Sequence, residues 1–173
     1  MKHFIRMSLQ RGFLFPVVAV VMMTGCQQKP DASQQLKPIV DKYVAIWNSG
    51  NYDELSAIID PHFVRHANLQ PNVEGLDGIK KVISGFRTAY PDVKITVNDE
   101  VYSGNESAGL WTFTGTNTGA GEMPPTGKSV KIWGVSILHF ANGKLVEEWV
   151  AFDNESLMTQ LGYTMTSPSG PKP

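Results

Sequence analysis

The chain has one cysteine in 173 residues and almost no excess of either charge, with 15 Lys and Arg against 16 Asp and Glu. A single thiol excludes an internal disulfide and any metal site built from a cysteine cluster. A formal charge of −1 gives no general attraction to nucleic acid, which needs a basic excess to displace counterions from phosphates. Histidine is scarce: beyond the N-terminal stretch only His62, His66 and His139 occur. No Ser stands in a Gly-x-Ser-x-Gly elbow, so a nucleophilic triad of that type is not expected. The remainder is globular in kind, 42% hydrophobic, 10% aromatic and 18% charged, at a length suited to one domain.

A long apolar run is also missing. The longest, Phe13 to Met23, has eleven residues, short of the roughly 20 that a spanning helix needs. Lys2, Arg6 and Arg11 precede it, and no acidic residue comes before Asp31, which is the layout of a secretory signal. The run ends at Met23-Thr24-Gly25-Cys26, which resembles a bacterial lipobox, with Cys26 as the residue that is lipidated and becomes the new N-terminus. The alternative is an ordinary buried cysteine after an uncleaved anchor. Removing residues 1–25 leaves 148 of the 173 and takes three basic side chains away, so the formal charge moves from −1 to −4. More than one acyl chain gives stable attachment. Gln27 in place of Asp favours the outer membrane, facing the periplasm.

Residues 26–35 are expected to form a flexible tether, 36–163 one domain, and 164–173, rich in Ser, Pro and Gly, a flexible tail. Leu36, Ile39, Val40, Tyr43, Val44 and Trp47 follow helical spacing up to Asn48-Ser49-Gly50, which predicts a first helix. A second fits Tyr52 to Ile59 and a third Gly75 to Tyr90, each ended before a proline. After Pro91 the period becomes two. Strands are predicted from Val93, over Ser107–Thr118, over Ser129–Phe140, and over Leu145–Phe152, with Asn142-Gly143 as a hairpin turn. Asn154–Leu161 closes the chain as a helix stopped by Gly162. Three helices followed by an antiparallel sheet is an α+β order, with a strongly curved sheet around a long helix.

Few groups remain for chemistry. His62 and His66 are four apart in a segment that reads as extended, and no metal site is expected there. Glu147 and Glu148 are neighbours on a strand, so they project to opposite faces and cannot act on one bond. The glycine-rich stretch Gly115 to Gly121 lacks a phosphate-loop Lys-Ser/Thr and reads as a loop at a pocket rim. Asp153 has two readings. By parity it shares a face with Glu147, Trp149 and Ala151; in an apolar cavity its carboxyl would be a proton carrier near neutral pH. It also stands at the N-cap position of the closing helix, which alone would account for an Asp.

Gly75-Leu76-Asp77-Gly78-Ile79, Tyr90-Pro91-Asp92, Thr112-Phe113-Thr114-Gly115-Thr116, Pro124-Pro125-Thr126-Gly127-Lys128, and Gly143 through Trp149 to Asp153 with Gln160-Leu161-Gly162 resemble the SnoaL-like polyketide cyclase (ester cyclase) family. The resemblance covers the whole domain. It implies the nuclear-transport-factor-2-like cone, a curved antiparallel sheet with helices over it and a pocket inside. It also implies intramolecular aldol ring closure without cofactor or metal, with Asp153 as the aspartate that moves the proton and His66 as a polar pocket partner. Where many relatives read Arg-Trp-Thr-x-x-Gly-Thr-His, this chain has Leu110-Trp111-Thr112-Phe113-Thr114-Gly115-Thr116-Asn117, so a cation and an imidazole are missing and Asn117 stands at the pocket instead. Only Arg65 and Arg87 remain beyond residue 25, and Arg87 reads as a solvated helix residue.

The expected pocket is apolar, lined in part by Trp111, Phe113, Trp133 and Trp149, although these aromatics would equally suit a core or the sheet-to-sheet homodimer usual in the superfamily. Two functions follow as expectations. One is a lipid-anchored, cofactor-independent cyclase or isomerase acting on a small hydrophobic carbonyl compound. The other is a non-catalytic lipoprotein of the cell envelope that binds a small hydrophobic molecule.

Overall fold

A computed structural model describes residues 31–164 other than residue 69. Helix α1 spans Ala32–Ser49, beginning four residues before the apolar stripe because the Asp31 side chain accepts from the Ser33 backbone N–H at 3.2 Å and caps it. A 3-10 turn over Tyr52–Glu54 leads into the short helix α2, Leu55–Ile58. Two strands follow, β1 over Ile59–Ala67 and β2 over Val73–Glu74, before helix α3 at Gly75–Ala89. The second half is β3 Lys94–Ser103, β4 Glu106–Thr116, β5 Ser129–Ala141, β6 Lys144–Phe152 and the closing helix α4, Asn154–Leu161.

The six strands form one sheet in the order β2-β1-β6-β5-β4-β3. It is a mixed sheet rather than a wholly antiparallel one, because β1 runs parallel to β6. Pro61 hides β1 in the sequence: it falls where the β1–β6 register shifts, between Ile59 and Val64, and breaks the alternation by which strands are read. Further shifts at Val97/Asp99 and His139/Phe140 add the local bends that curve a sheet. Asn142 and Gly143 take φ of +52° and +73°, as the tight turn between β5 and β6 requires.

Helices α1 and α3 fill the concave side. Leu36, Val40, Tyr43, Ile46 and Trp47 of α1 pack with Phe63, Ile79, Ile83, Leu138, Phe140 and Leu145 in one core cluster. Tyr90, Phe113, Ile132, Leu157 and Leu161 form a second beneath α4. Arg87 is not a solvated helix arginine: its Nη1 donates to the carbonyls of Trp47 at 3.1 Å and Asn48 at 2.6 Å, tying α3 to the C-terminal end of α1. Among the described residues no helix is long and apolar enough to cross a membrane. Cys26 and the segment expected to be a signal lie outside the described residues.

Candidate functional site

Between α1 and the concave face of the sheet lies a cavity of about 90 Å³, lined largely by apolar side chains of α1, α3 and β3–β6. Trp111 and Phe113 line it, since both sit on the inward parity of β4. Polar groups gather at one end. Glu148, 4% exposed, enters from β6 and Arg65, 8% exposed, from the adjacent β1. Arg65 Nε donates to Glu148 Oε2 at 3.0 Å, and the Tyr43 hydroxyl, from α1, donates to the same oxygen at 2.9 Å. Ser136 Oγ donates to Oε1 at 3.0 Å and in turn accepts from Trp111 Nε1 at 3.1 Å. The Arg65 guanidinium carbon lies 5.8 Å from the Trp47 ring centroid, within cation–π range.

An ion pair this far from water is held at a cost, because desolvation offsets most of the mutual attraction and only the added hydrogen bonds make the arrangement tenable. Three protein donors occupy about three of the four acceptor positions of the Glu148 carboxylate. The Arg65 side chain hydrogen-bonds to described residues only through Nε, which leaves its terminal N–H groups for a ligand oxygen. Burial, and then the Glu148 charge, pushes the Tyr43 hydroxyl well above its ordinary range, so Tyr43 is a neutral donor throughout the physiological range.

Gly134 makes this network possible. It pairs with Trp111 across β4 and β5, and a Cβ there would stand 2.3 Å from the indole ring. Gly134→Ala is therefore expected to displace Trp111, break its bond to Ser136 and cost about 1–3 kcal/mol, the usual range for overpacking. Urea denaturation measures the cost, and an unshifted indole N–H resonance would contradict the displacement.

The other residues singled out in the sequence lie elsewhere. Trp133 and Trp149 are 56% and 50% exposed, on the convex face, so neither lines the cavity. His66 stacks on Trp149 with centroids 3.9 Å apart and contacts Asn72 Oδ1 at 2.9 Å and Glu147 Oε1 at 3.1 Å. Glu147 also meets His139 Nδ1, the hydrogen bond that chiefly holds its carboxyl below the usual range. Among the described residues no cluster of three or more His, Cys, Asp or Glu is placed to hold a metal ion. Asn117 is buried in the loop after β4, where its Oδ1 accepts from the Thr126 N–H at 2.8 Å and the Thr126 hydroxyl at 3.0 Å, so it braces the loop and does not line the cavity. Nearby Gly119 packs so closely on α3 that a Cβ would fall 1.7 Å from the Thr88 carbonyl oxygen.

Asp153 caps α4, its Oδ1 accepting from the Ser156 N–H at 2.9 Å. It is not among the residues that line the cavity, although its neighbour Phe152 is. Asp153→Ala is expected to lower stability by about 1 kcal/mol through loss of that cap, a shift of a few degrees in Tm by calorimetry.

Sequence reasoning passed over Arg65 and Glu148. A partial signal was present for the second: Val146, Val150 and Phe152 share the parity of Glu148, but the opposite row, with Leu145, Trp149 and Ala151, is as apolar and spacing does not choose between them.

Comparison with known proteins agrees with this architecture. The sequence profile of the SnoaL-like polyketide cyclases matches residues 37–161. Solved structures with the same fold include a SnoaL-like protein from Jannaschia sp. CCS1, 19% identical with a TM-score of 0.72 over 80% of this chain and 99% of that one. AclR from Streptomyces galilaeus is 25% identical with a TM-score of 0.68 over 80% of this chain and 91% of its own. IdmH from Streptomyces antibioticus is 25% identical with a TM-score of 0.65 over 75% and 99%. No curated protein matches the chain. With most of its length matched by the family profile and its cone of helices on a curved mixed sheet shared with these structures, the chain belongs to the SnoaL-like polyketide cyclase family.

Proposed function

We propose that the domain takes a neutral, largely apolar carbonyl compound into this cavity and moves a proton on the carbon beside the carbonyl without a cofactor, the opening step of a cyclisation or isomerisation. The single observation that supports this reading is the Arg65–Glu148 pair, with Tyr43 and Ser136, at the end of an otherwise apolar cavity. Glu148 is the acid/base in this account. As its carboxylate accepts the carbon-bound proton, the negative charge passes to the substrate oxygen, and the terminal N–H groups of Arg65 stand ready to hold that oxyanion. The charge around Arg65 is the same before and after the step, so little reorganisation is needed. The role that resemblance gives Asp153, with His66 beside it, is the competing assignment.

Fold does not choose the reaction: IdmH is named as a candidate polyketide cyclase and AclR as a candidate hydroxylase. The test is proton exchange. With ethyl benzoylacetate in D₂O, the protein is expected to accelerate loss of the methylene signal in the NMR spectrum above the buffer rate. Binding of the ester without accelerated exchange would overturn catalysis and leave the ligand-binding reading, which the three donors already on Glu148 favour.

Two further proposals complete this reading. The sequence expectation of lipidation at Cys26 would place the cavity at the cell envelope, and mass analysis of the membrane-extracted protein tests it. A second copy of the chain is the partner we assign to the convex face. Val101, Leu110, Trp133, Val135, Ile137 and Trp149 are all exposed there, and adjacent strands bring them together into a patch of the kind that marks interfaces. A monomer in sedimentation equilibrium would remove that assignment.

A further inference from the structure

The cavity has a second polar wall, formed by Glu100 of β3. Its Oε2 accepts from the Tyr102 hydroxyl at 2.8 Å and from Lys37 Nζ at 3.3 Å. Its Oε1 makes no hydrogen bond to a described residue, although the side chain is only 13% exposed. Lys37 is shared with Asp41 at 2.7 Å, so it balances the Glu100 charge only in part. Tyr102 is held neutral by burial and then by its bond to Glu100, both of which raise its pKa. This end of the cavity therefore keeps one carboxylate oxygen, Glu100 Oε1, free to accept.

Helix α1 fixes the spacing of the two ends. Lys37 reaches Glu100 and Tyr43 reaches Glu148, six residues apart, about 9 Å at 1.5 Å per residue. Between them the helix presents Val40, and the sheet presents Ser107, Gly109, Leu138 and Ser136, whose hydroxyl is already engaged by Glu148 and Trp111. In the sheet the same two ends fall on β1 and β6 at one side and on β3 at the other.

We propose that Glu100 determines specificity at the far end of the ligand, accepting a hydrogen bond from a ligand hydroxyl. The class taken is then an apolar, ring-sized carbonyl compound with an oxygen acceptor at one end, for Arg65, and a hydroxyl donor at the other. A group that only accepts, such as an ether, a ketone or a carboxylate, is disfavoured there by the Glu100 carboxylate. The proposal rests on the cavity being the ligand site.

The test uses two pairs of compounds of different length, 4-hydroxyacetophenone against acetophenone and 6-hydroxy-2-acetylnaphthalene against 2-acetylnaphthalene. Binding is read from quenching of Trp47 and Trp111, which line the cavity, and checked by calorimetry. In at least one pair the hydroxylated member is expected to bind about tenfold or more tightly, the span of a hydrogen bond to a charged group. Glu100→Leu is expected to bring that ratio close to one, and Glu100→Gln, which keeps the shape and one acceptor, to an intermediate value with an unchanged Tm. Equal binding within both pairs, or a ratio unaltered in both variants, overturns the proposal while leaving the cavity as a ligand site. Failure of all four compounds to bind folded protein overturns both.

Discussion

Replacing Glu148 with alanine is expected to lower folding stability by about 3–5 kcal/mol, the cost of leaving one member of a buried ion pair without its partner. Arg65 would keep its charge at 8% exposure, and the Tyr43 and Ser136 hydroxyls would both lose their acceptor. The double replacement Arg65→Met with Glu148→Leu is expected to recover most of that loss, since it removes two desolvated charges together and fills the space with apolar atoms. Urea denaturation of the two single variants and the double variant measures the coupling. A Glu148→Ala variant within 1 kcal/mol of wild type would mean that Arg65 is solvated and that the pair is not the buried element described above.

That asymmetry bears on function. If an apolar pair at these two positions serves stability as well as the ion pair does, stability alone does not account for Arg65 and Glu148. Their position at the end of a cavity lined by Trp47, Trp111 and Phe113 gives the pair access to a ligand. The low-dielectric end of a pocket strengthens every interaction of the pair with a developing oxyanion, which is why we place the chemistry there.

Much of the fold was legible because local signals agreed with each other. The hairpin at Asn142-Gly143 and helix α4 at Asn154–Leu161 lie where turn chemistry and capping put them. The α3 stripe ended before Pro91 as its spacing required. Strand β1 was harder to read, since Pro61 and a register shift interrupt its alternation and two charged or polar residues, Arg65 and His66, fall in its inward and outward rows. Without β1, the sheet reads as antiparallel and Arg65 has no place in it.

The site was half legible for a related reason. Parity along β6 correctly separates Glu147 from Glu148, but parity does not say which face is inward. Trp149 and Trp133 are large and apolar, and their size pulled the reading toward an inward-facing Trp149 with Asp153 beside it. In the structure they belong to the convex face, with Val135 and Ile137, and the smaller residues Ser136, Val150 and Glu148 face the cavity. An apolar outer face of this kind cannot be told from a core face by spacing alone. For Asp153, the capping reading is the one that its hydrogen bond to Ser156 supports.

The most direct test of the account compares Glu148→Gln with Asp153→Asn in the ethyl benzoylacetate exchange assay. Glutamine keeps the shape of Glu148 and a hydrogen-bonding oxygen but cannot take the proton, so exchange is expected to fall by about 10²–10⁴, the usual contribution of a positioned acid/base. Asparagine at 153 retains an oxygen that can cap α4, and exchange is expected to stay within about threefold of wild type. Thermal melts of both variants confirm that folded protein is being compared. Full exchange by Glu148→Gln together with loss of exchange in Asp153→Asn would contradict the account and return the proton to Asp153.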